Sequence, residues 1–212
     1  MKKDPYRRIA RHYDHLFQSM NAGLTGIGMT LARPQTGMTV LDVGCGTGLQ
    51  LAQYQQAGCM VVGLDKSPSM LQAAQQKLGQ TAELHYADAT QMPFANNRFD
   101  LITATLVLHE MAPAVRDGVM GEMKRVLKDN GRLLFTDYHP GPLRPPQGWT
   151  SKFLITIAEV LAGRDHFRHY RHFMAHKGLP DLLAAHGLVV EKQKIVSGGN
   201  MGVFLLRQDE AR

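Results

Sequence analysis

The segment from Val40 to Gly48 constrains the fold more than any other part of the chain. Its sequence, Val-Leu-Asp-Val-Gly-Cys-Gly-Thr-Gly, is an apolar strand followed by three glycines at alternate positions, and a second apolar strand ends at Asp65. Glycines after a strand let the backbone turn tightly and approach a ligand, and an acid about 20 residues further on accepts hydrogen bonds from ribose hydroxyls. The combination predicts an adenosine site in a doubly wound α/β sheet.

The spacing of the glycines narrows the choice of cofactor. A dinucleotide-binding loop needs a third glycine at position 49, where the pyrophosphate meets the helix N-terminus, but this residue is Leu49 and the third glycine is Gly48. A nicotinamide oxidoreductase is therefore disfavoured. The GxGxG pattern, together with Gly63-Leu64-Asp65, resembles the fingerprint of class I methyltransferases that use S-adenosylmethionine.

Strands and helices alternate after the glycine loop. Apolar runs predict strands at 39–43, 60–64, 84–86, 101–105, 132–138, 188–195 and 201–207. Three- and four-residue periodicity predicts helices at 49–57, 68–78, 113–127, 149–162, 166–176 and 179–186. The βα order predicts a mostly parallel sheet covered by helices on both faces. The resemblance implies a Rossmann-like, doubly wound seven-stranded sheet, closed by a C-terminal hairpin whose last strand is antiparallel beside the fifth.

The chain is long enough for one α/β domain and too short for a second independent one. We expect residues 1–36 to form an N-terminal helical lid, with one helix after Asp4-Pro5 and a second short helix before Pro34. Residues 37–212 would form the methyltransferase domain, with a lid-like helical insertion at 141–178.

Hydropathy, cysteine content and net charge limit the cellular compartment and the kinds of partner that we expect. There is no apolar run of membrane-spanning length, and Lys2-Lys3 is not followed by the apolar stretch of a signal peptide. Cys45 and Cys59 have neither metal-ligand nor disulfide spacing, in agreement with a reducing compartment. We therefore expect a cytoplasmic protein. A net charge of +6 is compatible with an anionic partner of any kind, including a membrane surface.

The resemblance assigns the donor site residue by residue. It places Gly44, Cys45, Gly46 and Gly48 under the methionine part of S-adenosylmethionine, Asp65 at the ribose, Lys66 and Met70 along the adenosine, and Asp88 and Ala89 at the adenine. Asp42 would lie near the donor's ammonium group or a loop amide. Thr105, at the end of the fourth strand, is also predicted to bind the donor. Because the sulfonium donor already carries an activated methyl group, no metal is expected.

The segment from Thr105 to Met111 lies where methyl transfer is centred in this family. It lacks the acid or asparagine, two prolines and aromatic typical of enzymes that methylate exocyclic amines, and it has no proline-cysteine pair for cytosine C5 chemistry. His109 is the best titratable candidate here. It is either a general base, since its ordinary pKa suits that task, or a packing residue.

Candidate acceptor-side residues come from later in the chain. Tyr138 and His139 follow the fifth strand, at the edge where such sheets bind ligands. Arg168, Arg171 and Tyr170 lie in a basic segment that either clamps an anionic substrate group or is a solvated helix. The histidines of that segment have helical spacing, but interleaved arginines argue against a metal site.

The N-terminal helix allows two interpretations. Its apolar stripe either docks on the domain, with Tyr13 closing over the donor, or lies on an anionic membrane with its arginines at the headgroups. The tract from Ile9 to Asp14 resembles the start of quinone-biosynthesis C-methyltransferases and of bacterial phosphatidylethanolamine N-methyltransferases, and the tail is more similar to the latter.

We therefore expect a methyltransferase that acts on a small-molecule or lipid-like acceptor. A phospholipid amine is the first expectation and a quinone-precursor ring carbon the second. An RNA substrate is disfavoured because there is no separate RNA-binding module, and a noncatalytic cofactor-binding protein is the remaining alternative. The oligomeric state does not follow from the sequence.

Overall fold

The computed structural model describes residues 10–209, with side chains from residue 21 onward. Its strands are β1 (Thr39–Val43), β2 (Met60–Asp65), β3 (Glu83–Tyr86), β4 (Phe99–Thr105), β5 (Leu127–Tyr138), β6 (Leu188–Val196) and β7 (Met201–Gln208). Its α-helices are α1 (Ala10–Ala32), α2 (Leu49–Gln56), α3 (Pro68–Leu78), α4 (Pro113–Val126), α5 (Gln147–Leu161), α6 (Arg164–Ala175) and α7 (Gly178–Ala185).

The strands form one sheet in the order β3-β2-β1-β4-β5-β7-β6. Strands β1 to β5 pair in parallel, and β7 is antiparallel to β5, with Phe204 opposite Phe135. The predicted seven-stranded sheet and its antiparallel last strand are confirmed. The direction of winding reverses between β1 and β4, so the loops at their carboxyl ends separate and leave a crevice there.

The central strands are buried on both faces. Val40 and Leu41 of β1, Ile102 of β4 and Leu133 and Phe135 of β5 are fully enclosed. Such continuous apolar runs are expected when helices cover both sides of a parallel sheet. The rigid core therefore holds the carboxyl ends of β1, β2, β4 and β5 in place, and these ends carry the candidate site.

The prediction of two separate N-terminal helices was wrong, because residues Ala10–Ala32 form one continuous helix. Glycines in this region suggested a break, but an isolated glycine costs a helix only about 1 kcal/mol. Gly28 has a packing reason: a Cβ there would come within 2.8 Å of Leu134 Cδ2 on β5. Its glycine lets the helix approach the sheet closely. Residues 1–9 and 210–212, and the side chain of Tyr13, lie outside the described residues.

The start of the fifth strand also differs from the prediction. The fifth strand begins at Leu127, directly after α4 ends at Val126, although the sequence predicts a start at residue 132. Asp129, Asn130 and Gly131 are typical turn residues, and the turn signal concealed the early part of the strand. In the structure this part pairs with β4 only at Phe99, before a register shift.

Helix α6 packs into the core through one face. Phe173 is buried, and the Arg116 guanidinium of α4 lies 4.6 Å from its ring centroid. Arg116 also donates hydrogen bonds to the carbonyl oxygens of Leu108 and Met111, at 2.8 Å and 2.9 Å. The insertion thus packs against the segment that follows β4.

Among the described helices, none has both the length and the apolar character needed to cross a membrane.

We expect Phe173→Ala to lower the free energy of unfolding by about 3 to 5 kcal/mol, because it leaves a cavity in a packed core. The matched control is Phe153→Ala on α5, where 67% of the side chain is exposed, and its expected effect is within about 0.5 kcal/mol. Urea denaturation of both variants measures the difference. Equal effects would show that α6 is not part of the core.

Candidate active site

Two adjoining cavities lie at the carboxyl ends of β1, β2 and β4. The larger has a volume of about 390 Å³ and the smaller of about 70 Å³. Gly44, Gly46, Thr105 and Leu106 line both. The two cavities therefore form one continuous site around the glycine loop, at the crevice where the sheet changes its winding direction.

The glycine loop is held by the carboxylate of Asp65. Its Oδ2 accepts a hydrogen bond from the backbone N–H of Gly46 at 2.8 Å, and its Oδ1 accepts one from Ser67 at 2.7 Å. Gly46 has a φ of 52°, and a Cβ there would have no protein atom within 4 Å. A side chain at this position would occupy the cavity. The loop thus brings bare backbone to the cavity wall, beside an acid.

Gly48 and Cys45 have different environments. Gly48 lines neither cavity; it has a φ of 72°, and a Cβ there would lie 2.8 Å from Leu78 Cδ1 and 3.2 Å from Ala74 Cβ. This glycine lets α2 and α3 pack closely. Cys45 lines the smaller cavity, and burial raises the pKa of its thiol, with the charges of Asp42 and Asp65 adding to the effect. The thiol therefore stays protonated, which argues against a nucleophile.

Asp42 is a buried acid in the wall of the smaller cavity. Its Oδ1 accepts a hydrogen bond from Thr103 Oγ1 at 2.7 Å. Burial raises the pKa of Asp42 to about 7, opposed by the Thr103 hydrogen bond and assisted by the charge of Asp65. A cationic group bound in this cavity would favour the ionised form. Asn21 and Thr25 of α1 line the same cavity, so the N-terminal helix contributes to the site.

Lys66, Met70 and Ala89 line the larger cavity, and their contacts with the adenosine stay a prediction. Asp88 does not line it. Its Oδ2 pairs with Lys66 Nζ at 2.8 Å and its Oδ1 accepts hydrogen bonds from Thr90. The Lys66 hydrogen bond and those of Thr90 lower the pKa of Asp88 to about 2. In this structure Asp88 anchors Lys66, and its contact with adenine stays a prediction.

Comparisons with known proteins agree with this geometry. The sequence model described as Methyltransferase domain, of type 11, matches residues 41–135. A demethylmenaquinone methyltransferase from Desulfitobacterium hafniense is 30% identical, over 95% of this chain and 87% of its own. One from Lactobacillus johnsonii is also 30% identical, over 94% of this chain and 88% of its own.

This chain belongs to the class I S-adenosylmethionine-dependent methyltransferases. A solved structure of such an enzyme from Aquifex aeolicus shares the fold, with a TM-score of 0.55 and 23% identity over 81% of this chain and 83% of its own. The cavities fit the donor: Gly46 leaves open space at the wall, and the carboxyl groups of Asp42 and Asp65 suit a ligand that carries an ammonium and a sulfonium.

Beyond the donor site, the methyltransferase buries His109 in a network of charged side chains. His109 Nδ1 lies 2.7 Å from Asp137 Oδ1, and Asp137 Oδ2 accepts hydrogen bonds from the backbone N–H groups of Leu108 and His109. Burial by itself lowers the pKa of His109, but the charge and hydrogen bond of Asp137, with Glu110 and Glu159, raise it to about 9. At neutral pH His109 is protonated on both ring nitrogens and has no lone pair with which to act as a base.

Glu159 of α5 completes the network. Its Oε1 accepts a hydrogen bond from the Tyr138 hydroxyl at 2.7 Å and lies 3.5 Å from His109 Nε2, while its Oε2 lies 2.7 Å from His166 Nε2. Burial and the Glu159 charge raise the pKa of Tyr138, which stays protonated. Neither His109 nor Tyr138 lines the two cavities. The network ties α5 and α6 to the end of β5.

The predicted acceptor residues are not brought together. Arg168 and Arg171 are exposed, and Arg168 pairs with Asp165 at 3.1 Å. Tyr170 is buried, with its ring 5.1 Å from that of Tyr138. His139 Nδ1 accepts a hydrogen bond from the N–H of Gly141, and its ring stacks on that of Phe204. None of these four residues lines the cavities, and their substrate roles stay predictions.

Sequence reasoning missed two polar residues of the larger cavity, Glu110 and His169. His169 Nδ1 lies 2.8 Å from the carbonyl oxygen of Glu110. The inner face of α6 carries residues 166, 169, 170 and 173, spaced as one face of a helix requires. His169 lies one residue before Tyr170 and four before Phe173, so helical spacing places it on the same side as these two large aromatic residues. The prediction relied instead on Arg168 and Arg171, which lie on the outer side.

We expect Gly46→Ala and Gly48→Ala to separate binding from stability. Gly46→Ala adds a methyl group at the cavity wall and should weaken donor binding by on the order of tenfold or more, with a strain of about 1 to 2 kcal/mol for its positive φ. Gly48→Ala should lower the free energy of unfolding by about 1 to 3 kcal/mol beyond that strain, because the added methyl group would collide with Leu78 and Ala74. The donor Kd of the folded Gly48→Ala variant should stay close to that of wild type. Calorimetric titration and thermal melting measure the two effects. Loss of donor affinity in Gly48→Ala alone would contradict the assignment.

The stability of the methyltransferase should fall as pH rises through the pKa of His109. The folded-state pKa of about 9 lies above the ordinary value of 6.5, so the charged form stabilises the fold fully below pH 6.5 and loses this contribution as pH rises through 9. The loss amounts to roughly 3 kcal/mol. Unfolding free energies of wild type and His109→Gln across this range measure the effect of His109, because His166, whose pKa is raised chiefly by its hydrogen bond to Glu159, is present in both proteins. If the unfolding free energies of the two proteins changed in parallel with pH, the ion pair between His109 and Asp137 would be contradicted.

Proposed function

We propose that this methyltransferase transfers a methyl group to a ring carbon of a hydroxylated aromatic acceptor of the quinone-precursor class. The observation that carries the proposal is the mainly apolar larger cavity, whose lining includes the polar residues His169 and Glu110 besides the residues predicted to hold the adenosine. An aromatic acceptor needs apolar walls and a base near its hydroxyl. The similarity to demethylmenaquinone methyltransferases over most of the chain supports this choice.

The donor end of the site determines where the reaction takes place. S-adenosylmethionine, when bound, supplies a methyl group that is already activated by the positive sulfur. The protein therefore has to position the acceptor in line with that methyl group and exclude water. Gly44, Gly46, Asp42 and Asp65 hold the donor side, and Thr105 and Leu106 lie between the two cavities.

The hydrogen bond between His169 and Glu110 fixes the tautomer of the neutral imidazole. A carbonyl oxygen only accepts hydrogen bonds, so Nδ1 of His169 carries a proton and donates it to Glu110 O at 2.8 Å. In the neutral ring Nε2 is then the basic nitrogen. His169 removes the proton of the acceptor's hydroxyl through Nε2. The resulting phenolate pushes electron density to the adjacent ring carbon, which forms the bond to the methyl group as the methyl–sulfur bond breaks and its electron pair stays on sulfur. The ring carbon then loses its proton to solvent, which restores the aromatic ring.

The remaining walls suit a flat apolar ring. Val107, Met111, Val115 and Val119 follow β4 and begin α4, and all line the larger cavity. Pockets for small ligands are mostly apolar, with a few polar groups that set orientation. Here the orienting pair is His169 with Glu110, whose carboxylate is close enough to His109 to affect its pKa.

A phospholipid amine, the first expectation from the sequence, has weaker support. Its phosphate requires cationic partners, and the arginines considered for that role, Arg168 and Arg171, are exposed and do not line the cavity. Glu110 is a carboxylate that suits an ammonium, so the amine remains a second candidate to be tested beside the first.

Incubation with methyl-labelled donor tests the acceptor class directly. The acceptors are a short-chain demethylnaphthoquinol, phosphatidylethanolamine vesicles and total bacterial RNA, each at the same protein concentration. We expect label in the quinol alone, on a ring carbon. Label in phosphatidylethanolamine alone would establish the second candidate, and label in RNA alone would overturn both.

We expect His169→Gln to reduce kcat with the quinol by about 10² to 10⁴, as is usual for loss of a general base. The Kd for S-adenosylmethionine should stay unchanged. His172→Gln is the matched control, because His172 is an exposed histidine of the same helix, and its kcat should equal that of wild type. Unchanged turnover in His169→Gln would exclude His169 as the base.

A further inference from the structure

Helix α5 has an exposed apolar face. Six of its large apolar side chains are between 41% and 81% exposed. They are Trp149, Phe153, Leu154, Ile157, Val160 and Leu161. Outside α5, the described residues have three other exposed large apolar side chains, Met60, Tyr86 and Val190, one on each of three strands. Exposed apolar residues are therefore concentrated on this one helix.

The six residues lie on one side of α5. At 100° per residue they occupy an arc of about 140°. The opposite side carries Glu159 and Gly148, which are buried, and Ile155, which is half-buried. Glu159 is held there by Tyr138 and His166. The network that binds α5 to the core thus fixes its orientation and leaves the apolar face outward.

The exposed charged residues of the segment that contains this face have a strong bias of sign. In residues 141–178 six exposed side chains are cationic and one, Asp165, is anionic. The cations are Arg144, Lys152, Arg164, Arg168, Arg171 and Lys177. Glu159, the other acid of this segment, is buried. An apolar face in a cationic segment is complementary to a surface that is apolar inside and anionic at its boundary.

We propose that the α5 face docks this protein on an anionic phospholipid membrane. Trp149, Phe153 and Leu161 enter the boundary between headgroups and acyl chains, and the flanking arginines and lysines contact anionic headgroups. This composition is typical of helices that lie in the membrane interface. Large contiguous apolar patches are otherwise rare on monomers. The proposal does not depend on the identity of the methyl acceptor, and it places membrane contact on α5 and not on the N-terminal helix.

Trp149 is the single tryptophan of the chain, so the native protein carries its own probe on the proposed surface. We expect its fluorescence to shift to shorter wavelength with vesicles of phosphatidylcholine and phosphatidylglycerol, and to be quenched when the lipid chains are brominated. Phosphatidylcholine alone should give a much smaller shift, and added salt should weaken binding. Unchanged emission with anionic vesicles would overturn the proposal, and an equal shift with neutral vesicles would overturn the role of charge.

Vesicle flotation of full-length variants tests the residues. The variant Phe153→Ser/Leu154→Ser/Leu161→Ser should lower the partition coefficient on the order of tenfold or more, and Arg144→Gln/Lys152→Gln/Arg164→Gln should lower it with anionic vesicles. Met60→Ser/Tyr86→Ser/Val190→Ser is the matched control and should float like wild type. The shift in Tm on addition of S-adenosylmethionine verifies that every variant is folded.

Two outcomes would assign the face differently. If the α5 variant floats normally and Arg7→Gln/Arg8→Gln/Arg11→Gln does not, the N-terminal segment carries the contact and the proposal fails. If wild type does not float and is a dimer by light scattering, while the α5 variant is a monomer, the face is an interface between copies of this chain.

Discussion

The hydrogen bonds of the buried Asp137 carboxylate are the interaction on which the proposed acceptor side of the site depends. The carboxylate is completely buried at the end of β5 and accepts hydrogen bonds from the backbone N–H groups of Leu108, His109 and Tyr138 and from the ring of His109. Burial of a charge is costly unless it is paired and hydrogen-bonded, and here both conditions are met. With the hydrogen bond from Leu106 N–H to Thr136 O at 2.8 Å, this carboxylate holds the segment after β4, which lines the larger cavity, against β5.

The same buried network determines which side of α5 faces the core and which side faces solvent. Glu159 accepts a hydrogen bond from the Tyr138 hydroxyl and pairs with His166, so α5 and α6 are joined to β5 through buried polar contacts. This leaves the apolar side of α5 facing outward and brings His169 of α6 to the cavity wall. One buried network therefore orients both the proposed base and the proposed membrane surface, although the two proposals can fail separately.

The donor half is predictable because its requirements are local. Positive φ at Gly44 and Gly46, an apolar strand, and an acid at the end of the next strand are all visible in a short stretch of sequence. Gly48 shows the limit of that reasoning: it belongs to the motif, but its neighbours are Leu78 and Ala74, and only the packing of α2 on α3 shows this. The continuous α1 was missed for a similar reason.

The sequence by itself determined the βα order, because hydrophobic periodicity and turn geometry act between residues close in the chain. The antiparallel last strand and the methyl donor followed from the resemblance of the glycine motif and Asp65 to the class I methyltransferase fingerprint. Tertiary structure decided the protonation of His109, the inward side of α6 and the exposure of Trp149. Each of these depends on partners far away in sequence: Asp137 is 28 residues from His109, and Glu110 is 59 from His169. The pKa of a histidine and the side of a helix that meets solvent are set by such neighbours, which no local pattern specifies.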